Sequence, residues 1–189
     1  MILGQTLYVT NRRDWRSWLA NHHKTKKEIW LIFFKKHTKR PSIPYNDAVE
    51  EALAYGWIDS IVKTVDKDSY AQRFTPRKPG SNWSDLNKER VRRLIKSRKM
   101  TRAGLAAMND ALKAKSNASR SRVVIPSDIA KRLREDKLTW QNFQRFPSSY
   151  KRIRVGWIDA ARKRPAEFEK RLRYFLRMTA QNKRFGMVQ

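Results

Sequence analysis

The sequence predicts an α+β protein: a small β-α-β-β sheet with packed helices, followed by a helical C-terminal subdomain. Three features carry this. Residues 28–36 form a β-branched and aromatic run between charged ends. Residues 57–65 and 70–74 make two more strand-like runs around a short polar turn, and beyond Gly80 the apolar positions recur with the 3.6-residue period of a helix.

Each element has a local reason. Residues 28–36, Glu-Ile-Trp-Leu-Ile-Phe-Phe-Lys-Lys, hold no Gly or Pro and predict a central strand. Pro41 and Pro44 mark a loop. Residues 45–55 then read as a helix, with Ala48, Ala52 and Leu53 on one side and Gly56 just past its end as a cap. Residues 57–65 make a second strand, Asp66-Lys67-Asp68-Ser69 a polar turn, and residues 70–74 a third strand closed by Pro76 and Pro79. So short a turn favours a hairpin, hence an antiparallel or mixed sheet with one helix packed on it.

Ser81 or Ser84 can cap a helix over 83–97, with Asp85 in the first turn where a carboxylate suits the dipole. Trp83, Asn87, Val91, Leu94 and Ile95 form its inward stripe, while Lys88, Arg92, Lys96 and Lys99 line up outside. A second helix is expected over 101–115. Residues 116–126 open small and polar and read as a linker between an α+β domain, 1–115, and a basic helical subdomain, 127–189. Helices are expected there near 127–135, 138–144, 147–163 and 165–182, with Pro147 and Pro165 at the first helical position. Gly56-Trp57-Ile58-Asp59 recurs as Gly156-Trp157-Ile158-Asp159, but one copy lies in a strand pattern and the other in a helix pattern, so this is no stacking repeat.

Composition narrows the function. The 189 residues carry 44 Lys plus Arg against 17 Asp plus Glu, a net charge of +27, with the excess smallest in the first third. A chain without cysteine has no disulfide, thiolate metal site or Cys nucleophile. The longest apolar run, 29–34, is far short of the about 20 residues that span a bilayer. Met1 to Thr10 shows no secretory pattern, so a cytoplasmic product is expected. A pI near 11.0 with 11% aromatic residues is the footprint of a nucleic-acid binder, and an anionic membrane surface is the second polyanion such a field would collect. The six glycines are too scattered for a phosphate-binding loop. His22, His23 and His37 lack metal-ligand spacing, so neither metal, cofactor nor catalytic residue is assigned.

The densest motifs lie between Gly56 and Asn87. Gly56-Trp57-Ile58-Asp59, then Gln72-Arg73-Phe74-Thr75-Pro76-Arg77-Lys78, Ser81-Asn82-Trp83-Ser84 with Asn87, and Met100-Thr101 with Ala103-Gly104-Leu105 together resemble the YdeI/OmpD-associated (bacteriocin-protection) family. The resemblance runs from residue 8 to about 115, so residues 1–115 are expected to be a domain of that type. Trp157-Ile158 and the Arg/Lys-rich final helix are similar to the family's second conserved region. It implies a link to bacteriocin and cationic-peptide resistance and, by family name, to an outer-membrane porin; it supplies no reaction. Where the family has Gly before the Arg-Met-Thr step, this chain has Arg98-Lys99-Met100, which argues against a left-handed helix cap there.

Two candidate sites follow. Asp59 and Arg73 sit on hairpin neighbours, Arg77 lies on the exit loop, and Ser81 opens a helix. In an anion pocket Arg73 and Arg77 would fork a phosphate or carboxylate, Ser81 and the helix start would complete the cradle, Tyr70 or Trp83 would stack a ring, and Asp59 would orient an arginine or act as base, with Trp57 and Asn87 in the same cluster. The same residues can equally be core, ion pair and cap. The second candidate is a polyanion surface of Lys88, Arg92, Lys96 and Lys99 on one helix and Lys170, Arg173 and Arg177 on the last. The leading reading is a non-enzymatic polyanion-binding protein; the competing one is an enzyme or sensor for a small anionic metabolite.

Overall fold

The computed structural model describes residues 3–81, 83–113 and 123–186. Most of the linker expected over 116–126 therefore lies outside the described residues, as do the last two positions of the helix expected over 101–115. The chain divides into two compact units, Met1–Ser116 and Asn117–Gln189.

The first unit holds the β-α-β-β sheet with packed helices, extended by one short strand. β1 (Thr6–Leu7) pairs parallel to β2 (Ile29–Phe34), β2 pairs antiparallel to β4 (Ser69–Pro76), and β4 pairs antiparallel to β3 (Trp57–Thr64), in the order β1-β2-β4-β3. β2 is central, as its composition predicts. Ile29, Leu31 and Phe33 join the core, while Trp30, on the opposite face, is also buried: Glu28 accepts its Nε1–H at 3.1 Å and Lys63 lies 4.9 Å from its ring. Burial on both faces is why this strand is a continuous apolar run rather than an alternating one.

The helix α1 (Arg12–His22) was not expected. Asn11 caps it by accepting the Asp14 amide at 3.0 Å, and Trp15 and Leu19, one turn apart, are fully buried. α2 (Tyr45–Ala54) packs against α1 and β3, and also against α3 (Asp85–Lys96) and α4 (Arg102–Lys113), so its apolar Ala48, Val49, Ala52 and Leu53 lie at the centre of the core. Gly56, at φ 77, ends α2 as expected. Arg12 binds Asp47, Glu50 and Glu51 at 3.2, 3.0 and 2.8 Å, and Arg16 adds a 2.7 Å pair to buried Glu51, which clamps α1 to α2.

Three local expectations are corrected. Of the two serines offered as caps Ser84 serves, accepting the Asn87 amide at 3.3 Å, so α3 begins at Asp85 and Trp83, expected inside it, precedes it. The inward phase is therefore set by Arg90, Val91 and Leu94, and Ile95 is 41% exposed. Arg98 does take the left-handed conformation, φ 57: its amide bonds Ile95 O at 3.0 Å and the Lys99 amide bonds Leu94 O at 2.8 Å, a Schellman ending whose two hydrogen bonds outweigh the steric cost of a side chain.

The second unit is a run of helices, α5 (Ser127–Arg134), α6 (Lys137–Arg145), α7 (Ser148–Asp159) and α8 (Pro165–Ala180). Ile129, Leu133, Phe143, Tyr150, Ile158, Leu172 and Phe175 are buried between them. Asp136 caps α6, and Asn142 donates to the carbonyls of Thr179 and Ala180 at 3.0 and 3.2 Å, satisfying the end of α8. Pro165 is the first residue of α8, whereas Pro147 stands one position before α7 as its cap. The two Gly-Trp-Ile-Asp segments fall in strand β3 and helix α7.

Candidate functional site

Around β3 and α3 the structure brings together some of the candidate residues and separates others. Asp59 pairs across the hairpin with Phe74, and its Oδ2 accepts the Tyr45 hydroxyl at 2.5 Å. Arg77 lays its guanidinium 3.7 Å from the Trp83 ring centre, and Arg90, buried in α3, donates to Asn87 Oδ1. Burial pushes the pKa of both arginines down, with the Asp59 carboxylate acting in the opposite direction on each. Tyr45 goes up, first through burial and then through its bond to Asp59, so its phenol is protonated at neutral pH. The cluster is thus Asp59, Tyr45, Arg77, Arg90, Trp83 and Asn87. Sequence reasoning missed Tyr45, whose only signal is its place at the first residue of α2, and Arg90, whose burial depends on the phase of α3.

Four candidates serve other ends. Arg73 lies on the opposite face of β4 from Phe74 and donates Nε to Glu28 Oε2 at 2.8 Å, with a second bond from Nη2 to the same oxygen. An arginine so engaged does not join Arg77 in a fork: Glu28 holds its guanidinium, and because successive strand residues face opposite sides it points away from Phe74 and from Phe74's cross-strand partner Asp59. Ser81 lies in a turn, its amide bonded to Lys78 O at 3.2 Å, three residues before the helix cap. Trp57 is 1% exposed in the core and donates Nε1–H to His23 O at 3.1 Å. Tyr70 stacks on Phe33 at 5.2 Å with an interplanar angle of 7°.

The basic stripes differ from each other. On α3, Lys88 reaches Asp85 at 3.4 Å and Arg92 reaches Glu89 at 3.2 Å; Lys96, its last residue, is exposed with no ion pair among the described residues, and so is Lys99, which was expected on the same helix but lies beyond its end, after the left-handed Arg98. On α8, Lys170, Arg173 and Arg177 are all exposed, and the only ion pair among them in the described residues is Arg173 to Glu169 at 3.9 Å. These three border a cleft of about 710 Å³ together with Arg154, Trp157, Tyr174 and Phe185. Arg171 also lines it but is committed, donating to Glu167 at 2.7 Å and to Trp157 O at 2.7 Å. Three aromatic rings beside these cations give the cleft both a charged wall and stacking faces.

Among the described residues no group of three or more His, Asp or Glu could hold a metal ion, and no helix is long and apolar enough to cross a membrane. Residues 122–182 match the family described as bacteriocin-protection, YdeI or OmpD-associated, so that likeness resides in the C-terminal segment that forms the cleft. The motifs between Gly56 and Asn87 lie instead in a stretch, 7–107, that matches a separate family model. No curated protein and no solved structure matches the chain. With more than half of its length matched, the chain belongs to the family described as a domain of unknown function (DUF8412).

Proposed function

We propose that this is a non-enzymatic protein that binds a polyanion, nucleic acid first and an anionic membrane surface second, in the cytoplasm. One observation carries the reading: on α8, Lys170, Arg173 and Arg177 follow at helical spacing on an exposed face, Lys170 and Arg177 have no ion pair among the described residues, and the adjoining cleft is lined by aromatic rings. Cations left unneutralised by neighbouring carboxylates are the ones that displace counterions from a phosphate backbone. The net charge of +27 acts in the same direction.

The resistance to bacteriocins and cationic peptides suggested by the C-terminal family description is then indirect, since a chain of this charge repels cationic peptides. Porin association rests on that family name. The test is titration of the full chain with random single-stranded DNA and RNA across a salt series, beside phosphatidylserine-containing and neutral vesicles. A log affinity falling linearly with log salt on nucleic acid supports the reading, and preference for the anionic vesicles moves the partner to membrane, where each basic residue near the surface adds about 1 kcal/mol. Weak, salt-insensitive binding to both removes it.

A second reading, an enzyme or sensor for a small anionic metabolite, draws on the Tyr45–Asp59 contact beside Arg77 and Arg90. Under it Arg77→Ala abolishes metabolite binding, and reversing charge on α8 does not.

A further inference from the structure

The strongest unassigned feature is a buried cation without an ion pair among the described residues. Arg154 of α7 is 7% exposed, its Nε is buried without a hydrogen-bond partner, and it makes no ion pair among the described residues. Its guanidinium carbon lies 4.6 Å from the Phe185 ring, 5.6 Å from Tyr150 and 6.0 Å from Trp157. Ring faces stabilise a cation but leave its N–H groups without oxygen acceptors. Burial depresses the Arg154 pKa, the direction expected of a charge lacking its counter-ion. Arg154 lines the cleft of about 710 Å³, where Arg154, Lys170, Arg171, Arg173 and Arg177 face one carboxylate, Glu167, which Arg171 already occupies.

We propose that this cleft binds a nucleoside monophosphate unit, its phosphate held by Arg154 with Lys170 and Arg173, its base laid against Trp157 and Tyr174. The charge excess suits a dianion better than a single carboxylate, and guanidinium presents paired donors to phosphate oxygens. The volume is in the range of small-molecule sites, about 300–1,000 Å³, and far larger than inorganic phosphate needs. Tyr174, 38% exposed, and half-buried Trp157 supply the rings: Arg177 lies 5.3 Å from the centre of the first and Arg171 4.9 Å from the centre of the second, so a base stacks on the remaining faces or displaces the exposed Arg177. The proposal rests on the reading of α8 as an anion-binding face and names the unit it recognises, which is either a free nucleotide or the 5′-phosphorylated end of a single strand.

The experiment uses the full chain, with binding followed by Trp fluorescence and by equilibrium dialysis at moderate salt. The probes are adenosine 5′-monophosphate, adenosine, inorganic phosphate, and one oligonucleotide with and without a 5′ phosphate. Expected is saturable one-to-one binding of the monophosphate, at least tenfold tighter than adenosine or phosphate, and lost at least tenfold in Arg154→Met. Because a buried substitution can disturb folding, Lys170→Glu and Tyr174→Ala, both at exposed positions, are measured beside it and each should weaken binding several-fold. Monophosphate binding without oligonucleotide binding supports the pocket in its free-nucleotide form while retiring the nucleic-acid form of the polyanion reading. A tenfold preference for the 5′-phosphorylated strand supports the strand-end form. Oligonucleotide binding indifferent to the 5′ phosphate, with no monophosphate binding, overturns the pocket and leaves the polyanion reading standing. Monophosphate binding unchanged by the two exposed substitutions also overturns it.

Discussion

Tyr45 donates its hydroxyl hydrogen to Asp59 Oδ2 across 2.5 Å, joining the first residue of α2 to the edge strand β3. Burial and this carboxylate hold the phenol pKa above its ordinary value of 10.0. A raised folded-state pKa contributes stability that is complete below pH 10 and lost as pH rises toward the folded value. Tyr45→Phe is therefore expected to cost about 0.5–1 kcal/mol at pH 7 and to remove part of the alkaline decline above pH 10. Urea unfolding of both proteins at pH 7, 9 and 10.5 reads this out; parallel curves at all three values would refute it.

Glu28 and Arg73 make the complementary case at low pH. The Arg73 guanidinium, helped by Trp30 Nε1–H, holds the Glu28 carboxyl below its ordinary 4.5. A lowered folded-state pKa gives stability present above pH 4.5 and lost as pH falls through the folded value. Glu28→Gln is expected to be less stable at pH 7 by up to about 1 kcal/mol, since the pair is one-third exposed, and to lose less than the parent between pH 5 and 3. Equal acid sensitivity in the two proteins would count against the pair.

Arg98 holds a left-handed φ of 57 at the end of α3, where glycine pays no steric cost. Arg98→Gly leaves both capping amides in place and is expected to stabilise the first unit by about 0.5–1 kcal/mol. A denaturation midpoint that falls would show that the arginine side chain contributes a contact worth more than the strain.

Gly104 is the opposite kind of glycine, required by closeness rather than by φ. A Cβ there would stand 2.3 Å from Ala54 O and 2.7 Å from Met100 Cε, where the first turn of α4 crosses the end of α2. The carbonyl is backbone and cannot yield cheaply, so Gly104→Ala is expected to cost at least about 2 kcal/mol. Thermal unfolding within a degree of the parent would contradict the approach distance.

The two basic stripes should differ in weight. Lys88 and Arg92 already form ion pairs one turn away, whereas Lys170 and Arg177 make no ion pair among the described residues. Reversing Lys170, Arg173 and Arg177 to Glu is expected to lower the salt slope of oligonucleotide binding by about three, and reversing Lys88, Arg92 and Lys96 by less. Equal effects, or a larger one on α3, would move the interface to the first unit.

Much of the architecture was legible because it is written in local pattern. The run 29–34 is apolar without breakers, so β2 is central; Gly56 ends α2; and Asp66 to Asp68 make a polar turn, so β3 and β4 pair as a hairpin. α1 carried a readable signal in Asn11, Asp14 and the Trp15–Leu19 spacing, yet its polar composition and single cap hid it beside the stronger strand that follows.

The candidate sites were less legible, for a physical reason. Sequence spacing placed Arg73 near Asp59, but strand alternation sent its side chain to the other face, where Glu28, 45 residues earlier, was waiting. Tyr45 reached Asp59 only because α2 packs on β3, and Arg90, next to Val91 in sequence, is buried where α3 packs on α2.

By itself, the sequence determined the basic charge, the absence of thiol chemistry, the α+β class and the order of strands and helices from β2 onward, because these depend on composition and on near-neighbour periodicity. Only the tertiary structure decided which arginines are satisfied and which are not. Arg73 and Arg154 are the same residue type at half-buried and buried positions, and one meets a carboxylate while the other meets three aromatic rings. That difference lies in contacts between residues distant in the chain, which local periodicity does not encode.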